Sequence, residues 1–324
     1  MMNDEKTKLP EFALETVNLR KTYAASGNNP PKVALKGINL KIPRGSFFAL
    51  LGPNGAGKST FINILAGLVN KTQGQARIWG YDTQSQMRAA RRSIGVVPQE
   101  LNIDPYFTPR ELLDLQAGLY GVPKSERHTD DVLEAIGLTD KADAYARSLS
   151  GGMRRRLLVG KAMVHNPKVL ILDEPSAGVD VDLRRQLWHH VKAMNKAGTT
   201  VLLTTHYLEE AEALCDQIAI INHGQLIANE PTKSLLAQLD SKQLTVTVDQ
   251  QIQYMPEALQ QFKPSLHDGN QLTFQYKPSQ VNSGEILQTL QNSGLGIIDL
   301  STKEAELEDI FISLTHNANR ETTP

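Results

Sequence analysis

Residues Gly52 to Thr60 read GPNGAGKST and match the phosphate-binding pattern G-x-x-x-x-G-K-S/T in full. In such a loop the glycines let backbone N–H groups turn inward around phosphate oxygens, and the helix that follows adds the positive end of its dipole. Gly52, Pro53, Asn54, Gly55, Ala56, Gly57, Lys58, Ser59 and Thr60 are therefore a candidate nucleotide cradle. Lys58 is placed to reach the β- and γ-phosphates of ATP, and Ser59 to offer its hydroxyl to Mg²⁺. A second pair of chemical groups, Asp173-Glu174, ends the apolar run VLILD that starts at Val169. Asp173 suits the Mg²⁺ shell, and Glu174 can polarise a water in line with the γ-phosphate. Without the cradle, the same pair would read as acidic residues capping a turn before Pro175.

These groups need elements to hold them. Phe47 to Leu51, FFALL, is a short apolar run suited to a buried strand. Phe61, Ile62, Ile64, Leu65 and Leu68 then recur at helical spacing, so strand, loop and helix follow in the order the motif requires. VLILD has no polar face, which predicts a central parallel strand covered on both sides. In such sheets ligand groups sit at the carboxyl ends of the strands.

An ordered series accompanies the cradle: Tyr23, Gln99 in VVPQE, LSGGM at Leu149 to Met153, VLILDEP at Val169 to Pro175, SAGVD at Ser176 to Asp180, and TTH at Thr204 to His206. With it, residues 11 to about 230 resemble the nucleotide-binding subunit of an ATP-binding cassette (ABC) transporter. The resemblance implies an α/β fold: a P-loop NTPase (ABC ATPase) core with antiparallel β and helical subdomains. It implies an ATP hydrolase in which Tyr23 stacks on adenine and Gln99 touches Mg²⁺ alongside Ser59 and Asp173. It also implies a head-to-tail homodimer, in which Ser150, Gly151 and Gly152 of one subunit close on the γ-phosphate held by the other. Physics agrees with that role, since Ser150 is a good N-cap and a helix N-terminus attracts anions. In the family Asp180 links the two sites, and His206 meets the γ-phosphate and orients Glu174 and the water. Taken alone, His206 would read as a turn residue, Tyr23 as an edge-strand aromatic packed on core, and Asp180 as a turn aspartate.

Position 153 is Met where the commonest signature has Gln, and Arg154, Arg155 and Arg156 follow. This form resembles the exporter branch that includes the daunorubicin-resistance and lipid-exporter types, which implies export of a drug, lipid or polysaccharide through a separate transmembrane permease. In the family the permease docks a helix on the region between Gln99 and the signature. There Thr108-Pro109-Arg110-Glu111 is a capping box with Pro at the first helical position. Leu112, Leu113, Leu115 and Leu119 follow, and Val132, Leu133 and Ile136 form a second stripe that Gly137 ends.

The 324 residues suffice for one large and one small domain. The expected division is an ABC-type domain over 11–235, a C-terminal accessory domain (regulatory or dimerisation) over 240–315, and flexible tails at 1–10 and 316–324. In the accessory part, Leu244, Val246 and Val248 and then Leu272, Phe274 and Tyr276 alternate with polar residues as half-exposed strands do. Ile286, Leu287 and Leu290 suggest a helix, Leu295, Ile297 and Leu300 a third strand, and Leu307, Ile310, Phe311 and Leu314 a final helical stripe. A small open α+β sandwich, ferredoxin-like in arrangement, follows from that order. No run reaches the roughly eighteen apolar residues of a membrane span, and the N-terminus is polar, without a signal peptide. The expected location is the cytoplasmic face of the inner membrane, as a peripheral subunit. A formal net charge of −1 gives no electrostatic case for nucleic acid, so the arginine runs at 88–92 and 154–156 read as solvated helix faces or local contacts. A single cysteine, Cys215, in what reads as an apolar-periodic helix, fits a reducing compartment and a packing role. The alternative class is a soluble ABC ATPase acting on ribosomes or DNA; this chain has one cassette and no sustained heptads. A module that binds ATP without hydrolysing it fits less well, given Glu174 and His206.

Overall fold

The computed structural model describes residues 9–25, 30–176, 179, 181–237, 242–304 and 307–320. By contacts the chain divides into two compact units, one running to Thr232 and including the last turn from Asn317, the other spanning Lys233–His316.

The centre of the first unit is a six-stranded sheet. Its strands are β3 (Phe47–Leu51), β6 (Ile94–Val97), β7 (Val169–Asp173), β8 (Thr200–Thr204), β9 (Gln217–Asn222) and β10 (Gln225–Pro231), in the order β10-β9-β3-β8-β7-β6. All neighbouring pairs are parallel except β9 with β10. The strands FFALL and VLILD are buried along nearly their whole length, as expected of parallel strands covered on both faces. A second sheet, antiparallel and ordered β2-β1-β4-β5, is built from β1 (Phe12–Tyr23), β2 (Lys32–Pro43), β4 (Gln73–Ile78) and β5 (Tyr81–Asp82). Leu14, Leu19, Leu35, Ile38 and Leu40 of this sheet share one apolar cluster with Phe48, Leu50 and Phe61, so the sheet packs against the cradle's own strand and helix.

Helix α1 (Lys58–Leu65) follows the loop, with Phe61, Ile62, Ile64 and Leu65 buried. Leu68, expected on the same stripe, lies past the end of the helix and is 73% exposed. Short α2 (Met87–Arg92) leads into β6. A helical lobe then forms from α3 (Pro109–Leu119), α4 (Thr129–Ala135) and α5 (Gly151–Met163), whose facing sides close a cluster of Leu113, Ala117, Leu133, Ile136 and Leu157. The capping box is present in full: Glu111 N donates to Thr108 Oγ1 at 3.2 Å, and Thr108 N donates back to Glu111 Oε2 at 2.8 Å. Leu115 and Leu119, expected on the apolar stripe, face solvent instead. Helices α6 (Val181–Lys196) and α7 (Leu208–Leu214) flank β8 in sequence. Cys215 is the residue just past α7, and its thiol is buried, as a packing role requires. Helix α8 (Thr232–Ala237) starts where the unit ends.

The second unit is a four-stranded antiparallel sheet ordered β12-β13-β11-β14. Its elements are β11 (Lys242–Val248), α9 (Glu257–Gln260), β12 (Ser265–His267), β13 (Gln271–Tyr276), α10 (Ser283–Asn292), β14 (Ile297–Glu304) and α11 (Leu307–Arg320). This is β-α-β-β-α-β in the ferredoxin-like manner, followed by one more helix. Leu244, Val246, Val248, Leu272, Phe274, Ile286 and Leu290 form its own core. Helix α11 continues through Arg320, so residues 316–320 of the expected flexible tail are helical.

Candidate active site

Parallel strands put their carboxyl ends on one edge, and here that alignment gathers the chemistry. Val97 pairs with Leu172, and Asp173 with Thr204, so the segments that leave β6, β7 and β8 emerge side by side. Those segments carry Gln99, Asp173-Glu174 and His206, while β3 delivers the glycine-rich loop two strands away from β7. Tyr23 arrives separately, at the end of β1.

The loop is shaped by its glycines. A Cβ on Gly52 would stand 2.2 Å from the carbonyl oxygen of Ile221, so only glycine lets the loop pass β9 this closely. Gly57 sits at φ +112° and caps α1 without a side-chain acceptor, which leaves the first-turn amides of the helix available to an anion. Lys58 folds over the loop and donates to Gly52 O at 2.5 Å and Pro53 O at 3.2 Å. Burial pushes its ammonium below the ordinary lysine value, while the carboxylates of Glu174 and Asp173 hold it up. A cleft of about 210 Å³ opens beside it, lined by Pro53 through Thr60, Tyr23, Gln99, Asp173 and Glu174. Lys32 and Ala34 of β2 complete the wall, a contribution with no motif to announce it.

The carboxylates are held differently. Thr204 Oγ1 donates to Asp173 Oδ1 at 2.5 Å, fixing that side chain from the next strand. Glu174 has a left-handed backbone, φ +48°, and its N–H donates to Thr204 O at 3.0 Å. Such conformations in non-glycine residues cost about 1–3 kcal/mol and gather at active sites. Glu174 Oε2 accepts from Gln99 Nε2 at 2.9 Å and lies 3.6 Å from His206 Nδ1. His206 is exposed and rests on the Tyr207 ring, with centroids 4.0 Å apart. Tyr23 is half-exposed, its hydroxyl 3.4 Å from Thr60 Oγ1, with Lys21 Nζ 4.8 Å from its ring centroid.

Ser150, Gly151 and Gly152 do not line this cleft. Ser150 caps α5 by accepting from Met153 N at 3.2 Å, and among the described residues no other part of the chain comes within 4 Å of where a Gly151 Cβ would be. The signature is thus a second, outward-facing helix N-terminus on the same chain. Asp180 lies outside the described residues.

Three groups have roles that the sequence reading did not give them. Arg155, one of the arginines read as a solvated face or local contacts, is 4% exposed, and its guanidinium donates to backbone carbonyls on both sides of the cleft floor. The only sequence signal was the run of three arginines, which does not say which one turns inward. Arg156 bonds Ile136 O at 2.7 Å and Gly137 O at 2.8 Å, closing the end of α4. Glu210 is buried behind the site, accepting from Ser176 Oγ at 2.8 Å, Thr205 Oγ1 at 3.1 Å and Trp188 Nε1 at 3.2 Å. It joins the segments that follow β7 and β8 from beneath.

Among the described residues no helix is long and apolar enough to cross a membrane. Residues 35–177 match the family model described as ABC transporter. Among curated proteins, the linearmycin resistance ATP-binding protein of Bacillus subtilis is 34% identical over 95% of this chain and all of its own length. The daunorubicin/doxorubicin resistance ATP-binding protein of Streptomyces peucetius is 35% identical over 97% of this chain and 96% of its own. A Nod factor export ATP-binding protein of Burkholderia thailandensis is 36% identical over 88% of this chain and 92% of its own. Among solved structures, an ATP-binding subunit of an ABC transporter superposes with a TM-score of 0.64 at 28% identity, covering 70% of this chain and 92% of that one. A dimeric cassette bound to ADP and Pi, in a post-hydrolysis state, reaches 0.61 at 28% identity, covering 68% of this chain and 98% of that one. With relatives of this kind matched over nearly their whole length, the chain belongs to the exporter-type ATP-binding subunits of ABC transporters, and it is an ATP hydrolase.

Proposed function

We propose that this subunit powers export of a drug-, lipid- or polysaccharide-like compound through a separate transmembrane permease, using two ATP molecules held between two copies of the cassette. The observation that carries the catalytic half is the meeting of Gln99, Glu174 and His206 at one carboxylate oxygen beside the cradle. In this reading the amides of residues 52–60 and Lys58 hold the phosphates, and Tyr23 stacks on the base. Glu174 accepts a proton as water attacks the γ-phosphorus, the bond to the β–γ bridging oxygen breaks, and ADP leaves with that electron pair. His206 orients Glu174 and the water.

Mg²⁺ fits the oxygen donors here. Asp173 and Gln99 line the cleft with Ser59, and Mg²⁺ needs few protein ligands when phosphates supply the rest. When bound, the ion neutralises charge building on the phosphate oxygens. The outward-facing signature supports a head-to-tail pair, in which Ser150, Gly151 and Gly152 reach the partner's γ-phosphate and Asp180 links the sites.

The permease reading rests on the helical lobe and on the names of the relatives. Tyr106, Phe107, Leu115, Leu119 and Tyr145 are exposed there, Leu119 at 74% and Tyr106 at 70%. An apolar group of that kind suits a docking helix. In this reading the chain works at the cytoplasmic face of the membrane as a peripheral subunit, and the unit from Lys233 serves as an accessory regulatory or dimerisation domain. The test is affinity purification from detergent-solubilised membranes. A multi-span membrane protein should come with the chain in stoichiometric amount and raise its ATP turnover. Ribosomal or nucleoid proteins in its place would sink the export reading.

A further inference from the structure

Arg155 stands in the second turn of α5, the helix that Ser150 caps. Its side chain runs inward, under the floor of the cleft, and reaches two segments that share no sequence neighbourhood. Nε donates to Pro175 O at 3.1 Å. Nη1 donates to Pro98 O at 2.8 Å and Gln99 O at 2.7 Å. Nη2 donates to Asp173 O at 3.1 Å and to Glu174 O. A guanidinium has five N–H donors in a fixed plane, and here each has a carbonyl. Two of the five acceptors are the carbonyls of Gln99 and Glu174, the two residues whose side chains meet above. No other side chain can do this: lysine offers three donors on a point charge and glutamine two.

We infer that Arg155 is a positioning residue for hydrolysis, locking the backbones of Gln99 and Glu174 to the signature helix so that the Glu174 carboxylate is held in line with the γ-phosphate. The inference rests on Glu174 as the base and adds what sets its place. Helix α5 is continuous over thirteen residues from Gly151 to Met163. Whatever shifts its capped end therefore moves the guanidinium, and with it both carbonyl sets. A phosphate seated on Ser150 at one end of the helix is in this way coupled to the base of the same chain. The left-handed turn at Glu174 makes the coupling specific, because its carbonyl is pinned by Arg155 and its N–H by Thr204. A displacement of about 1 Å in such a group can cost on the order of a hundredfold in rate.

The experiment compares Arg155→Lys, Glu174→Gln and the double variant of the full chain, measuring ATP turnover, binding of a fluorescent ATP analogue, and thermal melting. Arg155→Lys should melt cooperatively and bind the analogue within about threefold of the parent, yet lose roughly ten- to a hundredfold in kcat. Added to Glu174→Gln it should lower the residual rate by no more than about twofold, since both changes act through one carboxylate. Parent-like turnover of Arg155→Lys overturns the inference. So does a loss of binding in parallel with rate, or a full additive loss in the double variant. If Arg155→Lys does not fold, Arg155→Gln takes its place in the same comparison, and failure of both to fold overturns a positioning role in favour of a purely structural one. Glu174→Gln turning over at the parent rate would remove the base on which this inference stands; a slow Glu174→Gln beside a fast Arg155→Lys removes only the inference.

Discussion

Gln99 Nε2 donates to Glu174 Oε2 at 2.9 Å, across a gap of seventy-five residues in the chain. The same oxygen faces His206 at 3.6 Å. Three segments that leave three adjacent parallel strands are tied at one atom.

Glu174→Gln should still bind ATP but hydrolyse it at least about a hundredfold more slowly, the loss typical of a positioned base. Because turnover no longer reopens the pair, the variant should accumulate as an ATP-bound dimer. Size-exclusion chromatography with and without ATP reads this directly. A variant that hydrolyses at the parent rate removes Glu174 from the role.

Ser150→Arg and Lys58→Ala should each abolish turnover, the first by crowding the partner's phosphates and the second by removing the cation that holds them. Mixed together they should recover part of it. In a mixed dimer one site inherits both lesions and the other neither. If no ratio of the two recovers activity, each site is self-contained.

Glu210→Ala should destabilise the first unit by about 3 kcal/mol, because Ser176, Thr205 and Trp188 lose one shared buried acceptor. For a unit of this size that is roughly a 10 °C fall in melting temperature. Glu210→Gln keeps an acceptor and should lose less than half as much. Equal losses in both would show that charge, not hydrogen bonding, is what the network needs.

His165 stacks on Tyr120 with ring centroids 3.7 Å apart and bonds Ile94 O through Nε2 at 3.0 Å. Burial pushes its pKa from 6.5 down to about 4. The fold therefore holds the neutral ring, while the unfolded chain takes up a proton near 6.5. The resulting stability is complete above 6.5 and declines as pH falls towards 4. Urea midpoints across that window should fall less steeply for His165→Gln than for the parent. Parallel curves would mean that His165 does not titrate between the two states.

A chain ending near Leu239 should fold, bind ATP and hydrolyse it, since every cleft residue precedes that point and the second unit has its own core. ATP turnover and crosslinking of full-length and shortened chains separate a catalytic from an assembly role. An insoluble shortened chain would make the C-terminal unit part of the core fold.

What the sequence determined by itself was local. The cradle, the strands before it and before Asp173, the capping box at Thr108 and the N-cap at Ser150 each depend on residues a few positions apart, and each stands where the spacing put it. The alternating strands of the second unit were legible for the same reason. Local pattern could not decide which side chains the packing would turn inward. Three consecutive arginines look alike in the sequence, yet Arg155 is buried because carbonyls from Pro98 and Gln99, more than fifty residues away, arrive to satisfy it. Leu115 and Leu119 carry an apolar period, yet stay exposed because the lobe closes on the other side of α3. The meeting of Gln99, Glu174 and His206 likewise belongs to the strand order β8-β7-β6, since hydrogen-bonded neighbours in a parallel sheet share an edge whatever their separation in the chain.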